Sequence, residues 1–274
     1  MKTIFKFTLA LTACVWMGAA TAAPPETFVS GTGTLDFQSA DFRMQSLLGI
    51  RTNFLLPDGN PLPLNTAQYS IPTKSATLSF NSATISDTTG KVSFNAGNSQ
   101  LSLYAVRPQE DEYGDYNYDL PVLINLVALR NITFDLSDAS IHADITSYTG
   151  TADGIHLVDS FGRITVFKGI APITDGTQGL IVDGHASGST IGGLRLTDEG
   201  ADIVLNGLYA WSGVPLDKET PGTIYTVGKT VNWGSASASG TFASSVPEAS
   251  TQALMLVGLL PLLAFSRRAR RTGR

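Results

Sequence analysis

TLSFNSATISDTTGKVSFNAGNSQLSLY, residues 77–104, decides the fold. Apolar and polar residues alternate in four short runs: Thr77-Leu78-Ser79-Phe80, Ala83-Thr84-Ile85-Ser86, Lys91-Val92-Ser93-Phe94 and Gln100-Leu101-Ser102-Leu103-Tyr104. A period of two puts one face of each run into a core, which is the pattern of a half-buried strand. Asp87-Thr88-Thr89-Gly90 and Asn95-Ala96-Gly97-Asn98 separate the runs with turn chemistry. Strands spaced about 8–12 residues apart suit a sandwich or barrel with antiparallel neighbours.

The pattern continues outward. Residues 131–136, 140–145, 155–158, 163–167, 179–182, 223–227 and 231–242 read as further strands, with Gly150, Asp153-Gly154, Phe161-Gly162, Asp175-Gly176 and Asp183-Gly184 as turns. Residues 120–129 are almost continuously apolar and read as a fully buried strand. Residues 197–209, TDEGADIVLNGLY, read as a short helix. Thr197 caps it, and Asp198 and Glu199 suit the positive end of its dipole; Gly200 and Gly207 count against it. The expected fold is all-β: an antiparallel β-sandwich-like domain with one short helix over residues 23–243. A signal peptide at 1–22 and a C-terminal segment at 244–274 with a transmembrane helix flank it. Residues 111–119 are the one seam at which this body would split.

The first 22 residues have the layout of a secretory signal: Lys2 and Lys6, a mostly apolar run, then Ala20-Thr21-Ala22 as a small-x-small cleavage site. Lipidation at Cys14 is the rival reading, but the apolar run continues through Val15, Trp16 and Met17. Cleavage after Ala22 removes the single cysteine, so disulfides do not hold the mature fold. The signal carries two of the 18 basic residues and the last eight residues carry five. The remaining 11 face all 23 acidic residues, leaving residues 23–248 with a formal charge of −12. An acidic body repels phosphate backbones, which argues against a nucleic-acid partner.

Residues 253–265 are all apolar or small. As a helix they cover about 20 Å, short of the roughly 30 Å of a bilayer core; counting 250–266 brings the span nearer. Pro261 weakens the helix. Arg267, Arg268, Arg270, Arg271 and Arg274 follow at once, which favours a membrane anchor with its end held inside over a buried core helix. Together with Val246-Pro247-Glu248-Ala249-Ser250 just upstream, this tail resembles the PEP-CTERM sorting signal. That is the three-part C-terminus of bacterial proteins handled by exosortase, a membrane-embedded processing enzyme. Ala249 stands where the family has its second proline. The resemblance covers about the last 29 residues and implies a Gram-negative exported protein, held briefly in the inner membrane with its body in the periplasm. It implies cleavage near Pro247-Glu248, then release or attachment at the surface. The family setting is exopolysaccharide and biofilm. Signal peptidase and an exosortase-type enzyme are the expected partners, with exopolysaccharide a further one.

Residues 109–119, QEDEYGDYNYD, gather oxygen ligands of the kind calcium prefers. Asp111, Asp115, Asn117 and Asp119 would converge around Gly114, although the spacing departs from the EF-hand loop. The alternative is a solvated loop. Trp211 and Trp233, with Tyr113, Tyr116 and Tyr118, would stack on sugar rings if exposed and pack the core if buried. His142, His156 and His185 lack zinc-site spacing, and no Gly-x-Ser-x-Gly occurs. No cofactor is expected apart from this calcium reading. The expected function is a non-enzymatic cell-surface or extracellular-matrix protein. The alternatives are a secreted polysaccharide-acting hydrolase or a calcium- or carbohydrate-binding module.

Overall fold

Leu78, Phe80, Val92, Phe94, Leu101 and Leu103, apolar members of three of the four alternating runs, are all at most 7% exposed, whereas in the run 83–86 Ala83 is half-buried and Ile85 is exposed. The six belong to one core shared by two antiparallel sheets. The computed structural model describes residues 26–37, 51–52, 68–70, 75–97, 99–117, 120–151, 154–171, 178–211 and 213–243. By internal contacts, residues 28–242 form one unit, described below. Residues 1–27 and 243–274 are a separate unit, and the signal peptide, sorting motif, transmembrane segment and arginine tail expected there lie outside the described residues. Among the described residues no helix is long and apolar enough to cross a membrane.

The elements run β1 (Thr27–Asp36), β2 (Arg51–Thr52), β3 (Gln68–Ser70), β4 (Ser75–Phe80), β5 (Ser82–Ile85), β6 (Val92–Asn95), β7 (Gln100–Arg107), β8 (Gln109–Glu110), β9 (Tyr116–Asn117), β10 (Leu123–Asp135), β11 (Ser140–Thr151), β12 (Gly154–Ala171), β13 (His185–Ser189) and β14 (Ile191–Leu196). Helices α1 (Asp198–Tyr209) and α2 (Ile224–Thr230) precede β15 (Ser235–Ala243). One sheet has the order β13-β15-β1-β4-β3. The larger sheet has the order β14-β12-β11-β10-β6-β5, with β7 also on β10 and β2 on β7. Strands β8 and β9 make a separate hairpin, with residues 111–115 as its loop.

Phenylalanines join the two sheets. Phe80 of β4 stacks on Phe94 of β6 at 4.9 Å and meets Phe134 of β10 edge-on at 5.4 Å. Strand β10 changes partner along its length. Residues 123–130 pair with β7 and residues 133–135 with β6. Between them Asn131 adopts φ +49°, a bulge that lets one strand serve both halves of the sheet. The expected breaks at Asn131 and at Phe161-Gly162 are therefore bulges within long strands, and Gly150 lies inside β11.

Helix α1 forms where TDEGADIVLNGLY predicts it. Thr197 Oγ1 accepts from the Gly200 amide at 2.9 Å. Its two glycines mark close approaches: a Cβ on Gly200 would sit 2.4 Å from the Val166 carbonyl, and one on Gly207 would sit 2.6 Å from Val127. Ala201, Val204, Leu205 and Leu208 are fully buried.

Two expected strands are not formed, and residues 179–182 make only the isolated bridges Lys91–Leu180 and Val182–His185. Residues 223–227 are not a strand but the capping residue and first turn of α2, so the described residues contain two short helices. Thr223 caps α2, accepting from the Thr226 amide. Tyr225 is buried, and the indole N–H of the fully buried Trp233 donates to the Gly228 carbonyl at 2.8 Å. Tertiary contacts outweigh the β propensity of this Ile-Tyr-Thr-Val run.

Candidate functional site

The acidic loop holds itself together. Asp111 Oδ1 accepts from the amides of Tyr113 at 2.9 Å and Asp115 at 3.0 Å, and the Asp111 amide donates to the Asp115 carbonyl at 2.7 Å. Gly114 supplies φ +84° at the tip. Asp115 points into solvent, Asn117 lies on β9 and Asp119 lies outside the described residues. Among the described residues no group of three His, Cys, Asp or Glu side chains is placed to hold a metal.

The histidines are dispersed. His142 Nε2 lies 2.9 Å from Ser140 Oγ and its Nδ1 lies 3.0 Å from Thr165 Oγ1. Both ring nitrogens are thus engaged, and Ser140 is 2% exposed. His156 and His185 are exposed on β12 and β13.

The two tryptophans part company. Trp233 is core. Trp211 follows the last turn of α1, half-buried at the edge of a cleft of about 310 Å³, near the lower end of ligand-pocket sizes. The floor of the cleft is Asn125 of β10 with Ser147 and Thr149 of β11. Val158 and Asp159 of β12 and the exposed Phe161 make one wall; Asn206, Gly207, Ala210, Trp211 and Gly213 make the other.

Its polar groups are fixed in place. Thr149 Oγ1 donates to Asn125 Oδ1 at 2.7 Å, and Asn125 Nδ2 donates to the Leu208 carbonyl at 3.2 Å. Asn206 Nδ2 donates to the Asp202 carbonyl at 2.7 Å, and its Oδ1 accepts from the Leu216 amide at 2.8 Å, which pins the chain after Trp211 to the helix. From the side of β7, the Arg107 guanidinium sits 5.3 Å from the Trp211 ring centre while its Nη1 lies 3.5 Å from Glu110 Oε1. Such stacking holds an indole in one orientation.

A charged tether braces the same loop. Lys218 Nζ lies 2.8 Å from Asp202 Oδ1, and Tyr225 donates a short hydrogen bond to that carboxylate. Burial acts to raise the Asp202 pKa, but the Lys218 and Tyr225 hydrogen bonds outweigh it and leave it below the usual range. Burial first, and then the Asp202 partner, push the Tyr225 phenol up to about 12.

The cleft thus pairs an oriented indole and a phenyl edge with hydroxyl, amide and carboxylate groups. Sugars present the complement, apolar ring faces with hydroxyls around the rim. Among the described lining residues Asp159 is the one carboxylate. Trp211 was visible in the sequence as a stacking candidate. Asn125, Thr149 and Asp159 were not, because they are separated in the chain and share no spacing signal.

No protein-family model matches the chain, and none of the curated proteins is similar to it in sequence. Among solved structures, the C-terminal domain of HtaA from Corynebacterium glutamicum is similar at 14% identity and a TM-score of 0.38, covering 80% of this chain and 100% of that domain.

Proposed function

We propose that this is an exported, exosortase-sorted protein of the cell surface or extracellular matrix, whose β domain binds carbohydrate without catalysing. The terminal signals support the route. The signal peptide exports the body, and the C-terminal segment holds it at the inner membrane until cleavage near Pro247-Glu248. The observation that carries the binding reading is Trp211, half-buried at a cleft lined with amide and hydroxyl groups already oriented by their own hydrogen bonds. Hydrolysis of a glycosidic bond uses two carboxylates at the scissile bond; a binding cleft needs none.

The route is tested by intact mass and cell fractionation in a host carrying the processing enzyme, with and without Glu248→Ala. The wild type is expected to lose the mass C-terminal to the motif and to appear outside the cell, and the variant to stay full-length in the membrane. Full-length membrane-bound protein in both cases would overturn the sorting role.

A further inference from the structure

The sheet formed by β13, β15, β1, β4 and β3 turns its phenylalanines and alanines inward and a different chemistry outward. Ser187 lies opposite Ser239 and Ser189 opposite Ser237 across β13 and β15. Thr32 lies opposite Ser79 and Thr34 opposite Thr77 across β1 and β4. The two strand pairs meet at β15 and β1, where the Ser30 and Thr241 hydroxyls are 3.0 Å apart. Most of these side chains are exposed. None of these serines and threonines carries a charge, although residues 23–248 bear −12; the exposed Val29 and His185 line the same side, His185 opposite Thr241, and Asp36 continues the row of Thr32 and Thr34 at the end of β1. Two concavities, of about 670 and 350 Å³, lie on this side of the sheet and share Ser187 and Ser239.

We propose that this face is a docking surface for a neutral polysaccharide chain, separate from the Trp211 cleft. Charge selects the occupant. The described strands of this face give an anionic polymer no lysine or arginine to pair with, and Asp36 together with the acidic remainder of the body repels it. A neutral polyol suffers no such repulsion. Each of its hydroxyls both donates and accepts, as does each serine and threonine. Dehydrating a hydroxyl face costs far less than dehydrating charges, and each lost water contact is replaced in kind. Single exchanges contribute little, so affinity comes from their number along a polymer. Strands about 4.8 Å apart, with outward residues about 6.7 Å apart along each, hold the hydroxyls on a fixed lattice. Short side chains lose little rotamer freedom when they bind.

The test is retention of the full-length protein on an insoluble neutral glucan, with alginate as the anionic contrast. Trp211→Ala is the background, so that the cleft does not contribute. In that background Ser187→Lys with Ser239→Lys is expected to weaken retention by about tenfold or more, since two charges would have to be dehydrated under the polymer. Thr32→Val with Thr241→Val removes hydroxyls at constant shape and keeps the test open if the lysine pair misfolds; about a threefold loss is expected. Little retention on alginate is expected. Failure of the wild type to bind glucan, or full loss with Trp211→Ala alone, overturns the proposal. So does unchanged retention in a folded surface variant. If the lysine pair instead abolishes self-association in sedimentation while glucan retention persists, the face belongs to a second copy of the chain and the proposal is wrong.

Discussion

The Arg107 guanidinium lies over the Trp211 ring, 5.3 Å from its centre, and joins the end of β7 to the turn after α1. The pair fixes which way the indole faces. Trp211→Ala is therefore expected to remove neutral-oligosaccharide binding at the cleft by tenfold or more, with a small loss of stability. Arg107→Ala should weaken binding less, by about threefold, because the ring remains but is no longer held; a contact of this kind is worth about 0.5–1 kcal/mol at an exposed site. Titration calorimetry checks both. Unaltered binding by Trp211→Ala would end the cleft reading.

Gly200→Ala sets helix propensity against packing. Alanine favours a helix by about 1 kcal/mol over glycine. Here its Cβ would meet the backbone carbonyl of Val166 at 2.4 Å, and β12 cannot give way without moving the sheet. Overpacking of this kind costs about 1–3 kcal/mol, so the melting temperature is expected to fall. A rise on thermal unfolding would mean that α1 shifts freely on the sheet.

Alkaline pH should loosen the loop behind the cleft. The Tyr225 phenol is raised from 10.0 to about 12 in the folded state, so the fold holds the proton more tightly than the unfolded chain does. That contribution is complete below pH 10 and is lost as pH rises from 10 through about 12. Asp202 shifts the other way. Its lowered pKa gives stability that is present above its ordinary 3.8 and lost as pH falls through the lower folded value. Urea midpoints measured between pH 9 and 12 should fall more steeply for wild type than for Tyr225→Phe. Parallel curves would show that the phenol does not contribute.

Asp111→Ala should unravel the β8–β9 turn whether or not calcium is present. Its Oδ1 already accepts two backbone amides. The melting temperature of the variant is expected to drop by the same amount with and without about 1 mM calcium, the range in which extracellular calcium modules bind. A calcium-dependent rise in the wild type alone would restore the loop as a metal site.

The sequence showed its strands where one face of a run is buried and the other wet. Residues 77–104 and the α1 segment are therefore where the alternation and the Thr197 cap placed them. It hid what depends on tertiary contact. Residues 120–129 and 131–136 read as two strands and Phe161-Gly162 as a turn, and only their neighbours show that the strands run on through bulges. Strand β1 went unread because Gly31 and Gly33 interrupt its pattern; a Cβ on Gly33 would lie 2.5 Å from the Phe80 ring. Residues 223–227 are β-branched and aromatic, yet Tyr225 and the bond from Trp233 make them helical. The site divides in the same way. Chemistry alone ranked Trp211 and Trp233 equally, and burial separated them.

Strand β15 is the last described strand, and it sits in the interior of its sheet with β13 on one side and β1 on the other. A pull along the chain beyond it would act on two ladders of backbone hydrogen bonds together, in shear. An edge strand would instead peel away one bond at a time. Load applied to the chain at Ala243 would thus be shared between β13 and β1 rather than borne by one ladder.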